Sequence, residues 1–173
     1  MSDDPGAFRV LAIDPGTAVA GYAVMDWQAG QVKVLDAGVI RLKPRQPLSE
    51  RLVVLHNRVD ELIQTYRPGT LAIEDVFFAR NARSVLKLGE ARGVVIVAAA
   101  RQGLEVAEYS PAEVKQAIVG HGAAPKEQVQ RMVATLLGLK DIPRPDDLAD
   151  ALAIGLCHCH RLTATRARVK GRG

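Results

Sequence analysis

Residues 8 to 27 read FRVLAIDPGTAVAGYAVMDW, from Phe8 to Trp27. Phe8 to Asp14 is a short apolar run that ends in Asp14-Pro15-Gly16, the pattern of a buried strand stopped by a turn. Val19 to Trp27 and Val32 to Leu42 follow as β-rich segments separated by Ala29-Gly30, which predicts consecutive antiparallel strands. Working outward, Leu48 to Tyr66 places Leu52, Leu55, Val59, Leu62 and Ile63 at a helical period and is closed by Pro68-Gly69. Thr70 to Val76 reads as a second buried strand, Phe77 to Arg80 as a loop, Ala82 to Arg101 as a long helix and Leu104 to Tyr109 as a third core strand. Ser110-Pro111 is a helix start, with serine as the cap, proline in the first turn and Glu113 three residues on, as in a capping box. Two more helices are expected, over Lys126 to Leu137 and from Pro145-Asp146 to about Arg161. Three strands followed by alternating helix and strand predict an α/β fold, a mixed sheet with helices on both faces.

At 173 residues, 48% hydrophobic and 24% charged, the chain has the size and composition of one globular domain. That domain is expected over residues 1–161, with a basic, disordered tail over 162–173. The longest apolar run, Val94 to Ala100, is too short to span a bilayer. Met1 to Gly6 is acidic and polar, unlike a secretory signal, so a cytoplasmic protein is expected. Cys157 and Cys159, two apart on a helix, point in different directions, which suits a reducing compartment better than a disulfide. The net charge of +4 lies at one end: Arg161, Arg166, Arg168, Lys170 and Arg172 are accompanied by no acid, and the rest of the chain holds 18 basic and 19 acidic residues. A tail of this kind is read either as a solvated end or as a DNA contact.

Three acids stand where the surrounding pattern is apolar, and burying an unpaired carboxylate is costly enough to require a reason. Asp14 ends the first strand, at the edge where α/β sheets place their ligands, although Asp-Pro-Gly also reads as a plain turn. Glu74 lies inside Leu71-Ala72-Ile73-Glu74-Asp75-Val76, where alternation puts Ala72, Glu74 and Val76 on one face, and glutamate is disfavoured in a central strand. Asp150 heads a stripe that continues through Ile154 and Cys157, and Asp147 lies three residues earlier on the same side. Asp146 reads as a first-turn acid complementing the helix dipole. An acid set without histidine or cysteine at ligand spacing selects hard cations, Mg²⁺ or Mn²⁺. The rival cluster Cys157-His158-Cys159-His160 is poor zinc geometry, because alternate residues diverge on a helix. Four carboxylates can hold two Mg²⁺ ions, one activating a water and one stabilising a leaving 3′-oxygen in phosphodiester hydrolysis.

Ile13-Asp14-Pro15-Gly16-Thr17 with Gly21-Tyr22, Ala72 to Phe77, the run Leu86-Lys87-Leu88-Gly89-Glu90-Ala91-Arg92-Gly93, and Asp147 to Ala153 together resemble the RuvC family of bacterial Holliday-junction resolvases. The resemblance covers nearly the whole chain. It implies a ribonuclease H-like fold, a homodimer, a branch-migration partner of the RuvA-RuvB kind, and Mg²⁺-dependent symmetrical nicking of four-way junction DNA in recombination and repair. It places the catalytic, metal-binding acids on Asp14, Glu74, Asp147 and Asp150. Asp146 and Asp147 compete for the third acidic position, at which the family varies, and the family spacing favours Asp147. The resemblance also places Phe77 in a loop reaching the junction centre, where an aromatic can wedge between bases. Arg83 belongs to the basic stretch after it. Lys115 and Lys126, which the helical pattern alone reads as solvated lysines, match family positions that contact the DNA backbone. The small and apolar residues of Ala82 to Arg101 fit either a fully buried helix or a dimer interface, and the resemblance favours the interface.

Two other readings compete. A different ribonuclease H-like hydrolase, acting on RNA–DNA hybrids or as an actin-like ATPase with Asp14-Pro15-Gly16-Thr17 as its phosphate loop, lacks in the second case the second lobe and its Asp-x-Gly segment. A non-catalytic junction-binding protein would leave the acids at all four positions unexplained.

Overall fold

The computed structural model describes residues 7–75 and 82–170. Three strands open it: β1 (Phe8–Asp14), β2 (Val19–Gln28) and β3 (Gln31–Arg41), joined by tight turns into an antiparallel meander. Helix α1 (Leu48–Tyr66) crosses back to β4 (Thr70–Glu74), and α2 (Ala82–Arg101) leads to β5 (Glu105–Tyr109). Helices α3 (Pro111–Val119), α4 (Lys126–Leu136) and α5 (Asp146–Lys170) complete the chain. The sheet order is β3-β2-β1-β4-β5, with β1, β4 and β5 parallel. This is the mixed sheet expected from the sequence.

Two apolar layers hold it. Val10, Ala12 and Ala72 face one side and pack with α3, α4 and α5. Leu11, Ile13, Leu71 and Ile73 face the other and pack with α1 and α2. The alternation along β1 and β4 therefore sends each strand into two cores, which is why both read as continuous apolar runs. Fully burying one such leucine or isoleucine stabilises the fold by roughly 1.5–3 kcal/mol.

The capping box of α3 is present: Ser110 Oγ accepts from the Glu113 amide, and the Glu113 carboxylate accepts from the Ser110 amide. The last helix departs from expectation. It runs on through Lys170 rather than ending near Arg161, so the segment expected to be a disordered tail from residue 162 is helical as far as Lys170. The run Leu162 to Lys170 contains neither proline nor glycine and holds helix-favouring leucine, arginine, lysine and alanine, so no local signal stops it. Among the described residues, no helix is long and apolar enough to cross a membrane.

Candidate active site

β1 and β4 are parallel neighbours in register through Ile13 and Ile73. The next residue of each is an acid, so Asp14 and Glu74 end adjacent strands side by side. Each follows the alternation of Ala12 or Ala72 and faces the layer of α3 to α5. Helix α5 brings the other acids, Asp147 and Asp150, from its first turns.

Glycines set how closely these parts meet. Gly21 pairs with Asp14 across β1 and β2, and a Cβ there would lie 1.8 Å from the Asp147 main-chain oxygen. The first turn of α5 thus rests directly on β2 beside Asp14. A Cβ at Gly155 would lie 2.7 Å from Met25 Sδ and 3.3 Å from Ala12 Cβ, so the middle of α5 lies equally close to the sheet. At Gly16 a Cβ would come within 1.9 Å of the Val19 oxygen, which fixes the turn after Asp14.

The acids sense one another. Burial, then the charges of Asp150, Glu74 and Asp147, push the Asp14 carboxyl up to about 8, with Lys126 opposing. Burial and Asp150 raise Glu74 to about 7 against the pull of Lys126 and Lys115. Asp150 is raised by burial, which outweighs its hydrogen bond and attraction to Lys126. The energy of this crowding is relieved by protons or by cations.

One cation is already there. Lys126 Nζ, from the start of α4, donates to Asp150 at 2.8 Å and lies 3.4 Å from Asp146. Burial alone would depress this ammonium, but the bond and charge of Asp150 and the charge of Asp146 raise it instead. Glu74, Lys115, Lys126 and Asp150 line one cavity of about 190 Å³, floored by Pro111, Val114, Val129 and Ala153. Both lysines therefore stand beside the acids. Their helical context concealed this, because the pairing of Lys126 with Asp150 joins two helices distant in sequence.

Asp146 and Asp147 have different surroundings. Asp146 accepts from Gln130 Nε2 at 3.1 Å and Arg144 Nη1 at 2.6 Å, and with Lys126 these hold its carboxyl below the usual range, Gln130 contributing most. Asp147 instead acts on Asp14. Arg83 is exposed in the first turn of α2, and Phe77 lies outside the described residues.

Among the described residues, no three histidine, cysteine, aspartate or glutamate side chains already close on one point as a preformed metal cage. The donor set nevertheless suits a hard cation: it is all oxygen, and its crowded negative charge raises Asp14 and Glu74. The zinc rival finds no such support. Cys157 and Cys159 are buried, free thiols, the Tyr109 hydroxyl lies 2.7 Å from His158 Nδ1, and His160 Nδ1 is 3.1 Å from the Ala117 oxygen.

The family model of the crossover junction endodeoxyribonuclease RuvC matches residues 10–158. The chain belongs to the RuvC family. It is 51% identical over 149 residues to the crossover junction endodeoxyribonuclease RuvC of Moorella thermoacetica, covering 86% of this chain and 89% of that one. With the same enzyme of Pelotomaculum thermopropionicum it is 45% identical, over 91% of this chain and 96% of the relative. The structure of Thermus thermophilus RuvC in complex with a Holliday junction substrate superposes with a TM-score of 0.84 at 42% identity, covering 90% of this chain and 94% of that one. This family member is thus a crossover junction endodeoxyribonuclease with the ribonuclease H-like fold expected of it.

Proposed function

We propose that this chain cuts four-way DNA junctions by metal-dependent phosphodiester hydrolysis at Asp14, Glu74, Asp147 and Asp150. One observation carries the reading. Two acids end adjacent parallel strands, a helix start brings two more over them, and two lysines flank the set. The solved Thermus thermophilus relative, which holds a Holliday junction, supports the substrate class.

Asp14, Glu74, Asp147 and Asp150 would hold Mg²⁺, or Mn²⁺ in its place, as two ions per subunit. Bound there, such ions supply an activated water and charge stabilisation at the leaving 3′-oxygen. The protein's own groups do the rest. Asp14 and Glu74 are carried by adjacent strands of the sheet, which fixes where their backbones stand. Lys126 pairs with Asp150, and its ammonium stands beside the acids where it would meet a DNA phosphate. Lys115 draws a second phosphate to the same cavity. Phe77 and Arg83 are proposed to meet the junction near its centre.

Nicking two opposed strands needs two sites, and a two-fold homodimer provides them. Helix α2 supports this arrangement. Leu86 and Val97 are 68% and 52% exposed, and between them Gly89 and Gly93 have open space where a Cβ would stand. That is a flat, partly apolar face shaped for a second copy. Cooperation with a RuvA-RuvB branch-migration motor, in the cytoplasm, completes the proposal. The nuclease unit is taken as residues 1–161, with the basic extension beyond it.

The substrate test is to incubate a mobile four-way junction and a matched linear duplex with Mg²⁺ and map the cut strands. Paired nicks at symmetrical positions in the junction alone are expected. Equal cutting of the duplex, or binding without a cut in Mg²⁺ or Mn²⁺, would contradict the proposal.

A further inference from the structure

The acids are approached from one side of the sheet, and the opposite side carries a feature that the nuclease reading leaves unused. α1 and α2, which cover that side, each send one arginine to the main chain of an acid-bearing segment. Arg92 Nε donates to the Glu74 carbonyl at 3.2 Å. Arg51 Nη1 donates to the Thr17 carbonyl, in the turn that follows Asp14. The Arg51 Nε is buried as well, so this guanidinium is packed in place.

The Arg92 contact falls where strand pairing gives out. The β1–β4 register ends at Ile13 and Ile73, while the Asp75 amide on the other side of the same peptide donates to the Tyr109 oxygen at 2.8 Å. Because the peptide is planar and trans, its carbonyl points away from β5, and Arg92 meets it. The same guanidinium lies 3.5 Å from Asp75 Oδ1 and pairs with Glu108 of β5. Its side chain is only 16% exposed. One largely covered guanidinium, with its two acid partners at the half-exposed rim, therefore ties the last residues of β4, the end of β5 and helix α2 together behind Glu74. A planar guanidinium suits this task, since it offers several donors in fixed directions.

We infer that Arg92, with Arg51 as its counterpart behind Asp14, is a positioning residue for the cleavage reaction. Arg92 fixes the Glu74 peptide so that the carboxylate stays turned toward Asp14, and it holds the end of β4 at Asp75 against α2. The inference rests on the proposed role of Glu74. An arginine acting in this way changes the response to metal and the rate of the cut more than the affinity for DNA.

The test compares wild type, Arg92→Lys, Arg92→Gln and Arg51→Gln in three measurements: junction binding in chelator, single-turnover junction cleavage across a Mg²⁺ titration, and the rise in melting temperature that Mg²⁺ produces. Junction affinity is expected to stay within about twofold, while the cleavage rate at fixed Mg²⁺ falls about 10–100-fold. The Mg²⁺ needed for half-maximal rate and for half the thermal shift should both move upward. Arg92→Lys retains the charge between Asp75 and Glu108 and so folds even where Arg92→Gln does not, but an ammonium cannot span all three partners. Wild-type rate and wild-type Mg²⁺ dependence in Arg92→Lys would overturn the inference. If the wild-type protein itself makes no cut, the proposed function fails first.

Discussion

At the scale of single residues, Asp14 costs stability in the free protein. Its carboxyl titrates near 8 when folded against 3.8 in the ordinary state, so the unfolded chain ionises first as pH rises. Stability is unaffected below about 3.8, falls through the interval and has lost the full amount above about 8. Asp14→Asn is therefore expected to melt higher than wild type in chelator at pH 8–9, by about 2–4 °C for each 1 kcal/mol relieved. The gain should shrink at pH 5 and when Mg²⁺ is added to both proteins. The same titrations make Mg²⁺ compete with protons at Asp14 and Glu74, so half-saturating Mg²⁺ for cleavage should fall as pH rises from 6 to 8.5. Asp147→Asn should remove cleavage, while Asp146→Asn, which loses only contacts to Lys126, Gln130 and Arg144, should retain most of it. Normal cutting by Asp147→Asn with loss in Asp146→Asn would shift the assignment by one residue. Asp14 and Glu74 were legible in the sequence because an acid in an apolar strand is expensive. Lys126 was named only through the family resemblance, and its pairing with Asp150 was not legible, because nothing in a helical pattern shows which distant acid a lysine will meet.

At the scale of elements, the sequence announced itself where periodicity and caps agree. The strand and helix order is as expected, and the Ser110–Glu113 box is formed. The end of α5 escaped because no breaker marks it. The seating of α5 on the sheet escaped for a different reason: Gly21 and Gly155 carry no side-chain signal, and only the packed structure shows what a Cβ would strike. Gly21→Ala should therefore act at a distance from its own strand. The added methyl must displace the first turn of α5, at a cost of about 1–3 kcal/mol, and Asp147 and Asp150 move with it. Cleavage should fall by at least tenfold while junction binding persists, measured below the variant's melting temperature. Wild-type cleavage in Gly21→Ala would show that this contact does not set the position of the acids.

At the scale of the whole molecule, acid sensitivity follows from two groups that tie α3, β5 and α5 together. Burial holds His158 neutral, depressed to about 4 from 6.5. As pH falls from about 6.5 to 4 the unfolded chain takes the proton and the folded chain does not, so stability drops across that window. Glu113, held down to about 2 by the Ser110 amide, Arg161 and the Ser110 hydroxyl, adds a further loss between about 4.5 and 2. Because the raised carboxyls of Asp14 and Glu74 add stability as pH falls through the same window, the check is the melting temperature of wild type relative to His158→Gln, which should decline from pH 7 to 4; a constant difference would contradict this reading. The dimer proposed along α2 has its own check: light scattering at micromolar protein should give twice the chain mass, and a monomeric mass would count against it. From sequence the apolar residues of α2 fitted a buried helix equally well, since composition does not distinguish a partner helix from a partner chain.

The most direct measurement is single-turnover cleavage of a bound four-way junction in saturating Mg²⁺ by wild type, Asp14→Asn and Glu74→Gln, with junction affinity measured on the same samples. Loss of about 10³-fold or more in rate in both variants, on the scale seen when a site loses a central charge-stabilising group, with affinity retained, is the expected result. A variant that still cuts at close to the wild-type rate would show that the paired acids at the ends of β1 and β4 are not the catalytic centre.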